Sequence, residues 1–333
     1  ADIVHANLLG VLLNKANLHI DDIGNDKETL LLHAKADTDS NKALYYVLHS
    51  PLKNKLSALS LLKMKGDMSM DFRLEAPLYG EDGEILALGD IDFLNNKVLV
   101  RHNINDVQLT GLNGSLQFDQ NGVLDSNLHA LVMNYPINIV IQSVRSQKPY
   151  TEIKILGKTT IDFLREKLNL PILLDIRGEF VLESLLTLTD EASDLDHLQV
   201  KTSLKGVDID LPAPFGKKAS MATPLLLDID FNPEKALRLQ MNYHNLLTGD
   251  VWFKGRKGDL HLEGGHIRIG NAPLREHLPG LQIVAQLEDF DWQPWQKIMS
   301  QWPKAEESLW SFVKYMQFNV RRATLGGHHY KDV

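Results

Sequence analysis

Residues 68–76, Met-Ser-Met-Asp-Phe-Arg-Leu-Glu-Ala, alternate apolar and polar positions without a break. A strand turns successive side chains to opposite faces, so this run predicts a strand with Met68, Met70, Phe72 and Leu74 on one greasy side. The same period begins at Leu30, Leu32, Ala34 and Ala36 and returns over residues 85–93, 116–118 and 124–132. Ile137, Ile139 and Ile141 then alternate with Asn138, Val140 and Gln142. Strand-like stretches follow at 153–156, 174–182, 198–204 and 207–211. Leu225, Leu227, Ile229 and Phe231 make one more apolar stripe, and Leu237, Leu239 and Met241 another. Short candidates at 251–253, 260–262 and 267–269 and a longer one at 281–287 complete the series, and the end, residues 326–333, reads like the beginning of another strand. Gly, Asn, Asp and Pro punctuate the gaps, a spacing that suits consecutive antiparallel strands rather than strands separated by helices.

Helical spacing is confined to three stretches: 41–62, interrupted at Pro51; 160–168, ending before Pro171; and 294–316, interrupted at Pro303. Three helices cannot cover so many strands, so much of the sheet must cover itself or hold something else. An internal echo links 89–97 and 227–235, which share Asp-Ile-Asp-Phe followed by a polar turn. The expected fold is therefore mainly β: an elongated, curled antiparallel sheet with a taco-like groove and a few short helices. It is read as one continuous segment over 1–333, with a possible subdivision into 1–190 and 191–333.

Composition removes several functions. The chain has 333 residues, 44% hydrophobic and 23% charged, with a formal net charge of −8. Its 35 basic residues are scattered, which argues against a nucleic-acid surface. Cysteine is absent, compatible with an oxidising compartment. No apolar run is long enough to span a bilayer as a helix. The first residues, Ala-Asp-Ile-Val-His, and the strand-like end read as those of a piece of a longer protein.

No motif favours catalysis. The triplets Asp90-Ile91-Asp92, Asp208-Ile209-Asp210 and Asp228-Ile229-Asp230 resemble metal-binding Asp-x-Asp pairs, but alternation puts their carboxylates on the wet face of a strand. His328 and His329 are neighbours on a strand and point apart. No His-Glu-x-x-His, Gly-x-Ser-x-Gly or Gly-x-Gly-x-x-Gly spacing occurs. Trp292, Trp295 and Trp302 suit a local core anchoring a helix to the sheet better than a membrane belt. The expectation is a protein that is not an enzyme and has no cofactor and no metal site. Taken alone, the Met68–Leu74 stripe fits ordinary sandwich core better than a lipid wall, because buried apolar strand faces are the rule.

Several stretches carry a resemblance. Residues 109–119, Leu-Thr-Gly-Leu-Asn-Gly-Ser-Leu-Gln-Phe-Asp, run on through 128–141 in the manner of a repeat of the YhdP family. The most specific match is 203–219, with its Leu-Pro-x-Pro-x-Gly-Lys core at Leu211, Pro212, Pro214, Gly216 and Lys217. His49-Ser-Pro-Leu, Leu278-Pro-Gly-Leu-Gln-Ile and Asp291-Trp-Gln-Pro-Trp fit the same pattern, and the resemblance covers about residues 40 to 333. It implies an AsmA-like protein of Gram-negative bacteria, anchored in the inner membrane by a helix absent from this segment and lying in the periplasm. It further implies a hydrophobic groove that carries phospholipid toward the outer membrane, with acyl chains as the partner and protein partners unassigned. No family motif marks lipid contacts, so the groove candidates are those named from alternation: the stripes from Met68, Ile137, Leu225 and Leu237. The competing reading is a closed β scaffold for envelope assembly that holds no lipid.

Overall fold

The computed structural model describes residues 2–3, 6–8, 11–21, 23–24, 28–49, 60, 62–78, 85–101, 106–168, 170–189, 195–232, 236–255, 261–273, 280–302 and 312–333. The chain forms two compact units, one of residues 1–156 with 186–192 and the other of 157–185 with 193–333. Both are built mainly of strands, as the alternation requires.

The first unit begins with β1 (Asp2–Ile3), β2 (Ala6–Leu8), β3 (Val11–Asp21) and β4 (Thr29–Asp39). After helix α1 (Ser40–Leu48) come β5 (Leu62–Pro77), β6 (Leu86–Val100), β7 (Val107–Asp119), β8 (Gly122–Val132) and β9 (Tyr135–Val144). β1 and β2 both pair with β3, and from there each strand pairs antiparallel with the next as far as β9. Short polar turns allow this, because an antiparallel pair needs only a tight hairpin. Register shifts fall side by side on three neighbouring pairs: at Lys65/Asp67, at Phe93/Asn96/Val98 and at Thr110/Asn113. A bulge bends its strand, and adjacent bulges crease the sheet across β5, β6 and β7. Asn96 sits in the crease with no exposed surface, its Oδ1 accepting from the Leu94 N–H at 2.8 Å. Beside the crease lies a core of Val98, Leu112, Leu128, Ala130, Ile137 and Ile139.

β10 (Tyr150–Thr160) leads into α2 (Ile161–Leu168), a 3-10 turn (Pro171–Asp175) and β11 (Ile176–Thr189). The second unit continues with β12 (Asp196–Thr202), β13 (Val207–Ile209), β14 (Leu225–Asn232), β15 (Ala236–Tyr243), β16 (Leu247–Lys254) and β17 (His261–Gly270). Then come β18 (Gly280–Asp291), α3 (Trp292–Met299), β19 (Val313–Leu325) and β20 (His328–Lys331). β12 pairs with β14, and β14 to β17 follow in antiparallel order. β13 leaves this ladder and pairs with β11. A second core lies here, made of Ile161, Phe180, Leu204, Val207 and Ile209.

The structure corrects four expectations. β17–β18 and β18–β19 are parallel, so the unit is mixed rather than antiparallel, and in sequence each of these pairs is separated by more residues than a hairpin turn, as parallel pairing requires. The expected 41–62 helix is Ser40–Leu48 among the described residues, and Leu62 already opens β5; its middle, with Leu52, Leu56 and Leu59, lies outside the described residues. The expected 294–316 helix is Trp292–Met299, and Val313 and Met316 belong to β19; residues 303–311 lie outside the described residues. Phe312, Val313 and Met316 fit helical spacing equally well, but pairing with β18 decides for strand. Leu174 and Leu204 fall just outside the strands assigned to them, in the 3-10 turn and after β12, and Leu260 lies outside the described residues. The helix over 160–168 matches α2.

Candidate functional site

Residues directly opposite one another on paired strands share a face, so register shows which side chains form a surface. In the first unit Met68 lies opposite Phe93, Phe93 opposite Gly114, Gly114 opposite Leu128, and Leu128 opposite Ile139. The stripe nominated on β5 and the one on β9 are thus two ends of a single row. A second row runs Met70, Ile91, Leu116 and Ser126, and the Ser126 hydroxyl donates to the Ile141 carbonyl at 3.1 Å. A third joins Ala34, Phe72, Gly89 and Phe118. Leu74 stands between Leu32 and Ala87, and Ile137 faces Ala130.

This face is apolar but unevenly filled. Met68 is 4% exposed, beside α1, which packs on β4 and β5 and buries its Ala43 and Leu44. Met70, Phe72 and Leu74 are half-buried, and Ile137 and Ile139 are buried in the core at the crease. Phe72 and Phe118 stack at 6.3 Å with an interplanar angle of 19° across the intervening strand. Gly89 makes this possible: a Cβ there would meet the Phe118 ring at 2.5 Å. The glycine is a seat for the ring.

The second unit repeats the arrangement. Leu225, Leu227, Ile229 and Phe231 of β14 lie opposite Tyr243, Met241, Leu239 and Leu237 of β15 in that order. Leu239 continues to Val251 on β16, while the neighbouring row runs Met241, Gly249, Ile267, Ile283 and Met316. At β19 this face opens, with Met316 42% and Phe318 41% exposed. At the other end Leu225 and Tyr243 pack against the Ile161–Phe180–Val207 core, so Leu225 is covered by protein. The Leu-Pro-x-Pro-x-Gly-Lys stretch forms the cover there. Tyr243 donates its hydroxyl to the Phe215 carbonyl at 3.1 Å, and burial pushes that phenol's pKa up. Phe215 meets Trp295 of α3 edge to face at 5.5 Å, and the Trp302 indole N–H donates to Asp175 at 2.8 Å. These tryptophans tie α3 and its following turn to loops, an anchoring role beyond the sheet itself.

Lys217 is the buried charge of this cover, 6% exposed, with its ammonium donating to the carbonyls of Leu204 and Val207 at 2.8 and 2.5 Å. Desolvation draws its pKa below the ordinary lysine value.

The opposite faces are polar. Asp71 binds Lys35 at 2.8 Å and His33 at 2.7 Å, and the Lys35 hydrogen bond holds its carboxyl below the usual range. Asp90 accepts from Gln117 at 2.6 Å. In the second unit His197 bridges Asp230 and Asp228 at 2.7 and 3.4 Å, and Arg238 holds Asp250 through two bonds of 2.8 and 2.7 Å. Asp90, Asp228 and Asp230 therefore lie among strand-face partners, while Ile91 and Ile229 enter the apolar side. Among the described residues no group of three or more His, Cys, Asp or Glu side chains gathers to hold a metal, and no helix is long and apolar enough to cross a membrane.

Sequence reasoning did not nominate Phe93, Leu116, Phe118, Leu128, Val251, Ile267 or Ile283, although each sits on a strand it anticipated. Their alternation was readable, but strand-to-strand register, which places them in the rows, is a long-range property. Met316 was hidden by the helical reading of 294–316, and Phe318 lies just beyond it in a stretch to which no element was assigned.

The comparisons with known proteins add one match. A family model described as YhdP protein matches residues 1–333, the whole chain and further toward the start than the motifs reached. No curated protein and no solved structure matches.

Proposed function

We propose that this chain, which belongs to the YhdP family, is a segment of a passive conduit for phospholipid between inner and outer membranes. Family membership supports AsmA-like lipid transport in general terms. The observation that carries the specific reading is the apolar patch of Met70, Phe72, Ile91, Leu116 and Phe118 across β5, β6 and β7, which is half-buried rather than covered by protein and presents no polar side chain among these residues. An acyl chain laid on such a surface gains about 0.8 kcal/mol per CH₂ without directional contacts. Neighbouring positions are then nearly equal in energy, so a lipid slides rather than lodges. The headgroup stays at the wet lip. The protein on this reading is no enzyme, needs no cofactor, and works in the periplasm as part of an inner-membrane-anchored chain.

A closed scaffold is the second reading, favoured by the burial of Ile137 and Ile139 at 7% and 6% exposure. Native mass spectrometry with lipid extraction, on the chain purified without detergent from a Gram-negative host, separates the two. The conduit expects phospholipid at defined stoichiometry, lost in Phe72→Glu while the circular dichroism of the sheet persists. Phe72 is the better probe because Ile139→Glu puts a charge in the core. A folded, lipid-free wild-type chain, or lipid retained by Phe72→Glu, would sink the reading.

A further inference from the structure

The polar face of the second unit is unlike an ordinary wet strand face. Asp228, Gln240, Thr248, Asp250, His266 and Arg268 line a cavity of about 360 Å³ on it, within the range of small-ligand sites. The residues come into register from four successive strands: Asp228 opposite Gln240, Gln240 opposite Asp250, Asp250 opposite His266, and Thr248 opposite Arg268. Behind them on the same face, Gln282 and Val284 of β18, opposite His266 and Arg268, are 1% and 5% exposed. The face is therefore covered on the β18 side of the cavity.

Its charges cancel. Asp250 is tied to Arg238, and Asp228 is tied to Gln199 and His197. Arg268 donates its Nε–H to the Thr248 hydroxyl at 3.1 Å, which leaves its terminal N–H groups as the cavity's cationic donors. An anion here meets two carboxylates and a cation meets a guanidinium, so neither gains. A neutral ligand rich in hydroxyls satisfies both kinds of group, accepting from Arg268 and Gln240 and donating to the aspartates. The Trp252 indole stands outside the lining, lying over Gly264 and meeting the His266 ring at 5.8 Å. Donors and acceptors held side by side across one cavity match the hydroxyl rim of a pyranose. From this geometry we infer that the cavity on β14–β17 binds a neutral saccharide unit, on the face opposite the apolar row and independently of it.

Saturation-transfer NMR on the full chain tests this with methyl α-D-glucoside and N-acetylglucosamine as probes and inorganic phosphate followed by its own line width. The expected result is saturation transfer to at least one sugar at millimolar concentration. Arg268→Met should weaken that binding about tenfold, the loss of one hydrogen bond to a charged group. Gln240→Met, a near-isosteric change on a neighbouring strand, should weaken it as well. Both variants are checked for an unchanged thermal transition, and either one that folds is decisive. No transfer to either sugar in the wild type, transfer undiminished in a folded variant, or broadening of phosphate in place of the sugars would overturn the inference.

Discussion

The two units solve the same problem by different wiring. From β3 to β9 each strand pairs with its successor, and the apolar face follows directly from alternation plus hairpins. In the second unit β13 steps out of order, β17–β18 and β18–β19 run parallel, and a separate core with the Leu211–Lys217 stretch covers the Leu225 end. Hairpins give a surface that only register can spoil. Crossovers and an added core give one end a fixed protein lid, and the other, at Met316 and Phe318, an open apolar face. For a sliding ligand the consequence is local: no position in a row need be specific, but covered and open ends differ.

The contrast breaks most sharply where backbone meets backbone. Gly114 has φ +118°, and a Cβ there would fall 2.0 Å from the Asn127 carbonyl oxygen. Gly114→Val combines a left-handed backbone position with a main-chain clash in the middle of the Met68–Ile139 row. A loss of about 4 kcal/mol is expected. Hydrogen exchange should then accelerate through β6–β8 while β14–β16 stay protected; uniform acceleration would mean that the hairpin array does not stand on its own ladder.

A smaller effect is expected from the covered end. Lys217→Met keeps the apolar stem but removes the donor from two buried carbonyls, a cost of about 2 kcal/mol. Protection should fall at β13 and at Ile161–Leu164, with β5–β9 unchanged. If the variant is as stable as the parent, the lysine is incidental and the apolar contacts of Val207 and Ile209 hold the cover alone.

Much of this was legible in the sequence, and the failures share a cause. Two-residue alternation located β5, β8, β9, β14 and β15 because each has one wet side, which is what period two encodes. It also put Asp228 and Asp230 on the polar face, where His197 and Gln199 meet them. The parallel pairs escaped because β18 is buried on both faces, with Leu281 and Gln282 at 5% and 1% exposure, and its direction depends on return paths that leave no local trace. The crease escaped too: Asn95 and Asn96 read as a turn, yet they are a bulge within β6. The saccharide cavity was invisible for the same reason as the apolar rows, since Asp228 and Arg268 become neighbours only through the register of four strands.

The smallest effect separates two ion pairs that look alike. Arg238–Asp250 and Arg322–Asp289 are both two-pronged, but the Asp250 side chain is 26% exposed and that of Asp289 is 64%. In each the arginine hydrogen bond draws the carboxyl below its ordinary pKa. A carboxyl whose pKa is lower in the folded than in the unfolded chain contributes stability above the unfolded value and loses it as pH falls through the folded value. Solvent screens the exposed pair, so Asp289→Asn should leave the melting temperature unchanged. Asp250→Asn should cost about 1 kcal/mol at neutral pH, a shift of roughly 2–4 °C in a unit of this size. The difference between the two variants should shrink as pH drops below the ordinary aspartate range, where the wild-type carboxyl is itself protonated. A gap that persists at low pH would mean that Asp250 acts through hydrogen-bond geometry with Gln240 rather than through charge. The half-buried polar face of the second unit would then be held by shape, as its apolar face is.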